Sequence, residues 1–206
     1  MVPTAARLAD DFRVYALDLP GFGHSSKPPH ALALPALAEV LEGWMSQIGL
    51  DQAPMIGNSF GCQVIAEFGL RSPDRLLRAV LQGPTVDAHA RGAIRQFGRF
   101  ALDLPREKIP EYFVNAYDYW RTGLHRGWET FQIALEDRIE DKLPRLDIPV
   151  MVVRGQHDPI VSQRWVEQLT TLLPNGRLVI TRGAHTPNFS EPDTFAGVVR
   201  AFLRPA

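Results

Sequence analysis

Met55-Ile-Gly-Asn-Ser-Phe-Gly-Cys-Gln-Val64 places one serine between two glycines, just after a pair of apolar residues. Met55 and Ile56 read as the last residues of a buried strand, and a helix is expected from about Phe60 to Leu70. The chain must then turn sharply at Ser59. Gly57 and Gly61 fit that reading, because a strained strand-to-helix turn leaves little room for flanking side chains. This is the G-x-S-x-G pattern in its confirming context, strand before and helix after. A hydroxyl on such a bend stands at a helix N-terminus, beside backbone N–H groups able to receive developing negative charge. As a bare pattern it is equally a tight turn, so the partners available to Ser59 decide.

A serine is a weak nucleophile at its own pKa and needs a base, itself oriented by an acid. Val153-Arg-Gly-Gln-His-Asp158 puts Asp158 in the loop after an expected strand at Pro149–Val153. Arg182-Gly-Ala-His185 puts His185 just past the last expected strand, Leu178–Ile180. Taken singly, Asp158 is a turn-former before Pro159 and His185 a loop histidine bonded to backbone. Taken together, serine, acid and histidine follow one another in the order the pattern requires, each at the end of a strand.

The rest of the chain alternates in the same way. Arg13-Val-Tyr-Ala-Leu-Asp18 reads as a buried strand stopped by Pro20-Gly21. Leu34, Leu37, Leu41, Trp44 and Ile48 recur at helical spacing up to Gly49. Ala79–Gln82 reads as a strand, Trp165 to Leu173 as a helix, and a last helix follows Pro192. The expected architecture is α/β, a mostly parallel sheet of about five strands with helices on both faces. Between Thr85 and Leu146 the pattern changes to helical periodicity rich in aromatics. Residues 85–146 are therefore read as a helical cap insertion over the carboxyl edge of the sheet, with 1–84 and 147–206 as the core.

Composition narrows the function. The 206 residues carry 22 Lys plus Arg against 23 Asp plus Glu, so no basic field exists to draw nucleic acid or anionic membrane. At that length one domain buries roughly 70% of its unfolded surface. The single cysteine, Cys62, excludes an internal disulfide and a cysteine-rich zinc site, and fits a cytoplasmic setting. Neither a membrane span nor a signal-peptide layout is present in the sequence.

Asp18-Leu-Pro-Gly-Phe-Gly-His-Ser25, Gly57-Asn-Ser-Phe-Gly61, Gly155-Gln-His-Asp158 and His185 followed by Glu191-Pro192 resemble the α/β-hydrolase superfamily nearly end to end. The resemblance implies a Ser59–His185–Asp158 triad. Ser59 would attack a carbonyl, His185 would carry the proton, Asp158 would hold the imidazole tautomer, and Phe60 would give one oxyanion-hole N–H. A serine at this place speaks against dehalogenase and epoxide hydrolase relatives, which carry aspartate there. The implied activity is hydrolysis of an ester-like or other small acyl substrate, with no cofactor and no metal; the aromatic-rich cap adds the expectation of an apolar acyl or alcohol group. C–C bond hydrolases and cofactor-free perhydrolases share the triad, although the former commonly follow the histidine with tryptophan where this chain has Thr186. Asp87 is an alternative acid, His157 a loop cap, the Asp18–Ser25 stretch a turn, and Cys62 a core residue.

The chain also departs from the family. Relatives precede the Arg13–Asp18 strand with three more, and the third ends in a His-Gly loop that supplies the second oxyanion N–H. Met1 to Leu8 reads instead as the middle of the helix after that loop. A cleft between the Arg13–Asp18 strand and the one ending at Ser59 is expected, with modest stability and a misplaced start codon as the explanation. Loss of one oxyanion donor costs about 10²–10³ in rate. A catalytically impaired, ligand-binding protein is the reading from a different class.

Overall fold

The computed structural model describes residues 2–204. In chain order its elements are α1 (Val2–Leu8), α2 (Leu34–Gln47), β1 (Ala53–Asn58), α3 (Phe60–Arg71), β2 (Leu76–Gln82), α4 (Ala93–Asp103), α5 (Ile109–Thr122), α6 (Leu124–Glu136), α7 (Ile139–Lys142), β3 (Val150–Gly155), α8 (Gln163–Leu172), β4 (Gly176–Thr181), α9 (Pro187–Ser190) and α10 (Pro192–Leu203). The strands form one parallel sheet in the order β1-β2-β3-β4.

Alternation along β2 and β3 divides the core in two. Ala79, Leu81, Val150 and Val152 face one way, onto Cys62, Ile65 and Phe68 of α3 and Trp165, Val166 and Leu169 of α8. Val80, Met151 and Val153 face the other way, onto Leu8 of α1 and Phe195, Ala196 and Val199 of α10. A strand covered on both faces needs an unbroken apolar run, which is why β3 is buried along its whole length. Each large side chain buried here contributes roughly 1.5–3 kcal/mol.

The fifth expected strand does not form. Arg13–Asp18 belongs to no ladder, and among the described residues β1 pairs only with β2. A strand exists only through a neighbour's hydrogen bonds, and none is offered to this stretch. It runs over the surface instead: Tyr15 meets the edge of Trp44 on α2, with ring centroids 5.2 Å apart, and Phe12 joins the apolar cluster that also holds Ile56. With no strand at Arg13–Asp18 the expected cleft between two strands does not form, and among the described residues β1 instead has a partner on one edge only.

Between β2 and β3 the described residues form only helices, as the periodicity predicts. Their aromatics are less buried than helical spacing alone implies. Phe113 and Trp120 are 73% and 78% exposed, and Phe97, Trp128 and Phe131 stack on one another at the surface. Among the described residues no helix is long and apolar enough to cross a membrane.

Candidate active site

Ser59 sits between the end of β1 and the start of α3 with φ 53° and ψ −118°, the one described non-glycine residue at positive φ. A β-carbon disfavours that region, so the turn is held by its surroundings. The Ser59 N–H donates to Gln82 O at 2.9 Å, and the Cys62 N–H closes the first turn onto Ser59 O at 3.0 Å. Phe60 opens α3, so its N–H has no carbonyl one turn back within the helix.

The two glycines of the turn are not equivalent, contrary to the expectation that both relieve crowding. A Cβ on Gly57 would lie 2.7 Å from Gly61 C and O and 2.9 Å from Cys62 N, all rigid backbone. A Cβ on Gly61 would meet nothing within 4 Å. Only Gly57 is demanded by the close approach of helix to strand.

Asp158 and His185 come together. His185 Nδ1 lies 2.9 Å from Asp158 Oδ2, both side chains buried. The other oxygen, Oδ1, accepts from the N–H groups of Ile160 and Val161 at 2.8 and 3.0 Å. Burial alone would lower the imidazole pKa. The charge and hydrogen bond of Asp158, joined by Asp103 and Glu107, outweigh it and raise the pKa above its ordinary value. His185 Nε2 is buried with no hydrogen-bond partner among the described residues. Ser59 Oγ, for its part, lies 3.4 Å from Thr85 Oγ1 rather than in a bond to the imidazole.

The end of β2 is bonded to both the serine and the histidine. Gln82 receives the Ser59 N–H on its carbonyl, accepts from Asn58 Nδ2 at 2.8 Å, and donates through Nε2 to His185 O at 2.5 Å. Gly83 follows with φ +55°, and a Cβ there would stand 2.9 Å from His185 Cε1. Arg154, buried in β3, donates to the carbonyls of Asp158 (2.7 Å), Val161 (2.6 Å) and Gln156 (3.3 Å), which fixes the loop carrying the acid. Neither Gln82 nor Arg154 announces itself in the sequence, because every partner but the local loop is distant along the chain.

Three carboxylates surround the histidine corner. Glu107 Oε1 accepts from the Thr186 N–H at 2.8 Å, Glu111 Oε1 accepts from Thr186 Oγ1 at 2.5 Å, and Asp103 lies close enough to feel the charge of His185. Burial pushes the Asp103 pKa up to about 6, against the pull of the His185 charge. Burial pushes Glu111 up to about 7, opposed by the Thr186 hydroxyl and reinforced by Glu107 and Asp103. Their spacing by four is not a helical face: Asp103 ends α4, Glu107 lies in the connection and Glu111 stands in the first turn of α5, so the chain's turn between the helices brings them together.

The lesser candidates fall away from the centre. Asp87 caps the turn after β2, accepting from the His89 N–H at 2.9 Å and from Arg99 Nη1 at 2.6 Å. It is engaged there, and Asp158 is the carboxylate on His185. His157 is exposed against Gln156. Cys62 is buried with Sγ on Gly57 O and Gln82 O, and burial raises its pKa far beyond reach of a thiolate. Asp18 organises its own turn through the His24 N–H and Ser25 Oγ.

Comparison with known proteins bears on the family and the fold. The family model described as alpha/beta hydrolase fold matches residues 1–122, and one described as TAP-like protein matches residues 114–205. A carboxylesterase of Bacillus subtilis is 25% identical over 98% of this chain and 74% of its own length. A poly(3-hydroxyalkanoate) depolymerase of Ectopseudomonas oleovorans is 25% identical over 98% of this chain and 78% of its own. Among solved structures, a thermophilic esterase from Thermogutta terrifontis superposes with TM-score 0.79 at 23% identity, covering 98% of this chain and 84% of that one.

Proposed function

Because this chain belongs to the α/β-hydrolase fold family, we propose that it is a serine hydrolase cleaving an ester-like bond through an acyl-enzyme. The observation that carries the reading is Ser59, held at positive φ on the strand-to-helix bend and tied through Gln82 to the histidine of the buried Asp158–His185 pair.

In this mechanism Ser59 Oγ attacks the carbonyl carbon while His185 Nε2 takes its proton, and the C–O bond to the alcohol breaks as the imidazolium returns that proton to the leaving oxygen. Water, deprotonated by the same nitrogen, then frees the acid and restores Ser59. Asp158 keeps the Nδ1–H tautomer and, with Asp103 and Glu107 close by, stabilises the imidazolium. The Phe60 N–H faces the oxyanion. Residues 85–146 act as the cap, and their aromatic helices favour a small substrate with an apolar group rather than nucleic acid or membrane. The names of the esterase relatives support the ester over C–C cleavage, as does Thr186, whose hydroxyl is engaged with Glu111. A cytoplasmic location belongs to the same reading.

A fluorophosphonate probe tests it. The full chain is expected to label covalently, and Ser59→Ala is expected to abolish labelling and lower kcat by about 10⁴-fold or more. Labelling that persists in Ser59→Ala would remove Ser59 as nucleophile. Binding of an ester without turnover or labelling would favour the non-catalytic reading.

A further inference from the structure

Where the loop before α2 meets α6, two histidines and a glutamate converge from distant parts of the chain. His30 lies in the loop before α2, while His125 and Glu129 stand one turn apart on α6. His30 Nδ1 is 2.8 Å from Glu129 Oε1, His125 Nδ1 is 3.6 Å from the same oxygen, and one ligand atom from each residue lies within 4.8 Å of the others. From this geometry we infer that His30, His125 and Glu129 form a site for a borderline divalent transition metal, Zn²⁺ being the natural occupant, that fastens the helical segment to the core loop.

The distances suit the ion. With metal–ligand bonds of about 2.0–2.2 Å, a tetrahedral site separates its ligand atoms by about 3.3–3.6 Å. Of the three spacings, His125–Glu129 already has that value, His30–Glu129 opens by about half an ångström when the metal replaces the shared proton, and His30–His125 lies within 4.8 Å, in reach of a rotation of the exposed rings. Two neutral imidazoles and one carboxylate are the donor set that zinc shares with copper and nickel, and hard ions such as calcium and magnesium have too few oxygens here.

The carboxylate is preorganised. Glu129 Oε2 accepts from the Ala31 N–H at 2.7 Å, which leaves Oε1 turned to both imidazoles and holds it in a ligating pose. That bond is a second observation, independent of the cluster itself, and it shows the metal's partner group already fixed. The imidazoles are about three-quarters exposed, so an ion reaches them directly from solvent and water completes the coordination.

The same loop is tied to the helices elsewhere. Arg121 Nε donates to Gly23 O at 3.0 Å and Arg126 to Pro28 O. A metal at His30 adds a bond to this line of contacts across 99 positions of chain. It would therefore stabilise the docked arrangement of α5 and α6 by mass action. The site does not depend on which residue is the nucleophile.

Zinc titration calorimetry on the chelator-stripped full chain tests the proposal, with a thermal melt as second readout. One Zn²⁺ per chain should bind, raising Tm, reversibly by EDTA. Both His30→Ala and His125→Ala should weaken binding at least about tenfold and remove the Tm gain, while His24→Ala, an exposed histidine outside the cluster, keeps both. No saturable binding up to about 100 µM Zn²⁺, or unchanged binding in the two histidine variants, would leave only a hydrogen-bonded ion pair and overturn the inference. Circular dichroism of each variant excludes unfolding as the cause of a loss.

Discussion

The two glycines flanking Ser59 invite opposite experiments. Gly57→Ala drives a methyl into the Gly61 and Cys62 backbone, and should destabilise by at least about 3 kcal/mol in urea melts. Gly61→Ala fills open space at the start of α3 and should lie within about 0.5 kcal/mol of the parent, on the stabilising side. At the neighbouring His185 the electrostatics predict a pH profile. A general base acts when neutral, and burial, which lowers its pKa, is outweighed by the surrounding carboxylates. The acid limb of kcat/KM should therefore fall above the usual imidazole value. Asp103→Asn removes one of the lifting charges and should carry that limb to lower pH. A limb unmoved in Asp103→Asn would show that its charge does not reach the ring.

At the scale of elements, α4 and α5 bring acid groups to the histidine corner at a cost. Glu111 binds its proton more tightly folded than unfolded, with its pKa raised from 4.5 to about 7. Stability therefore declines as pH climbs between those values, and the penalty is complete above them. Glu111→Gln keeps an acceptor for Thr186 without the charge, so Tm should rise by about 3–8 °C at pH 8 and stay level near pH 4.5. Equal shifts at both pH values would mean that packing, not charge, is the cause. This corner also marks how far the sequence could be read. The alternating elements and the positions of Ser59, Asp158 and His185 were legible because each is local: an apolar run, a glycine, a loop. Asp103, Glu107, Glu111 and Gln82 act across tens of residues, and nothing near them in the chain names their partners; Arg154 acts on its own loop, but only the fold turns those carbonyls toward it. Arg13–Asp18 misled for a related reason. Its β-branched and aromatic residues suit a strand, but a strand is a relation between two segments.

Across the whole molecule, the sheet is graded from a dry centre to an open side. β3 is buried throughout and bonded on both edges, whereas β1 has β2 on one edge alone among the described residues and is half-buried along most of its length. Hydrogen exchange should follow that gradient: amides of β2 and β3 protected to the level of global unfolding, those of β1 that point away from β2 exchanging through local opening. Uniform protection of β1 would require a further partner along that edge in solution. The helices between β2 and β3 leave aromatics exposed as well, Phe113 and Trp120 of α5 and Trp128 of α6 among them.

Gln82 joins these scales. One side chain takes the Asn58 amide and gives to the carbonyl of His185, while its backbone holds Ser59. Ser59 and His185, the proposed nucleophile and base, are thus both bonded to a single strand end that is itself part of the dry centre. Heat inactivation should then trace the same curve as loss of tertiary structure, with no interval in which a cooled, intact-looking protein has forgotten its chemistry.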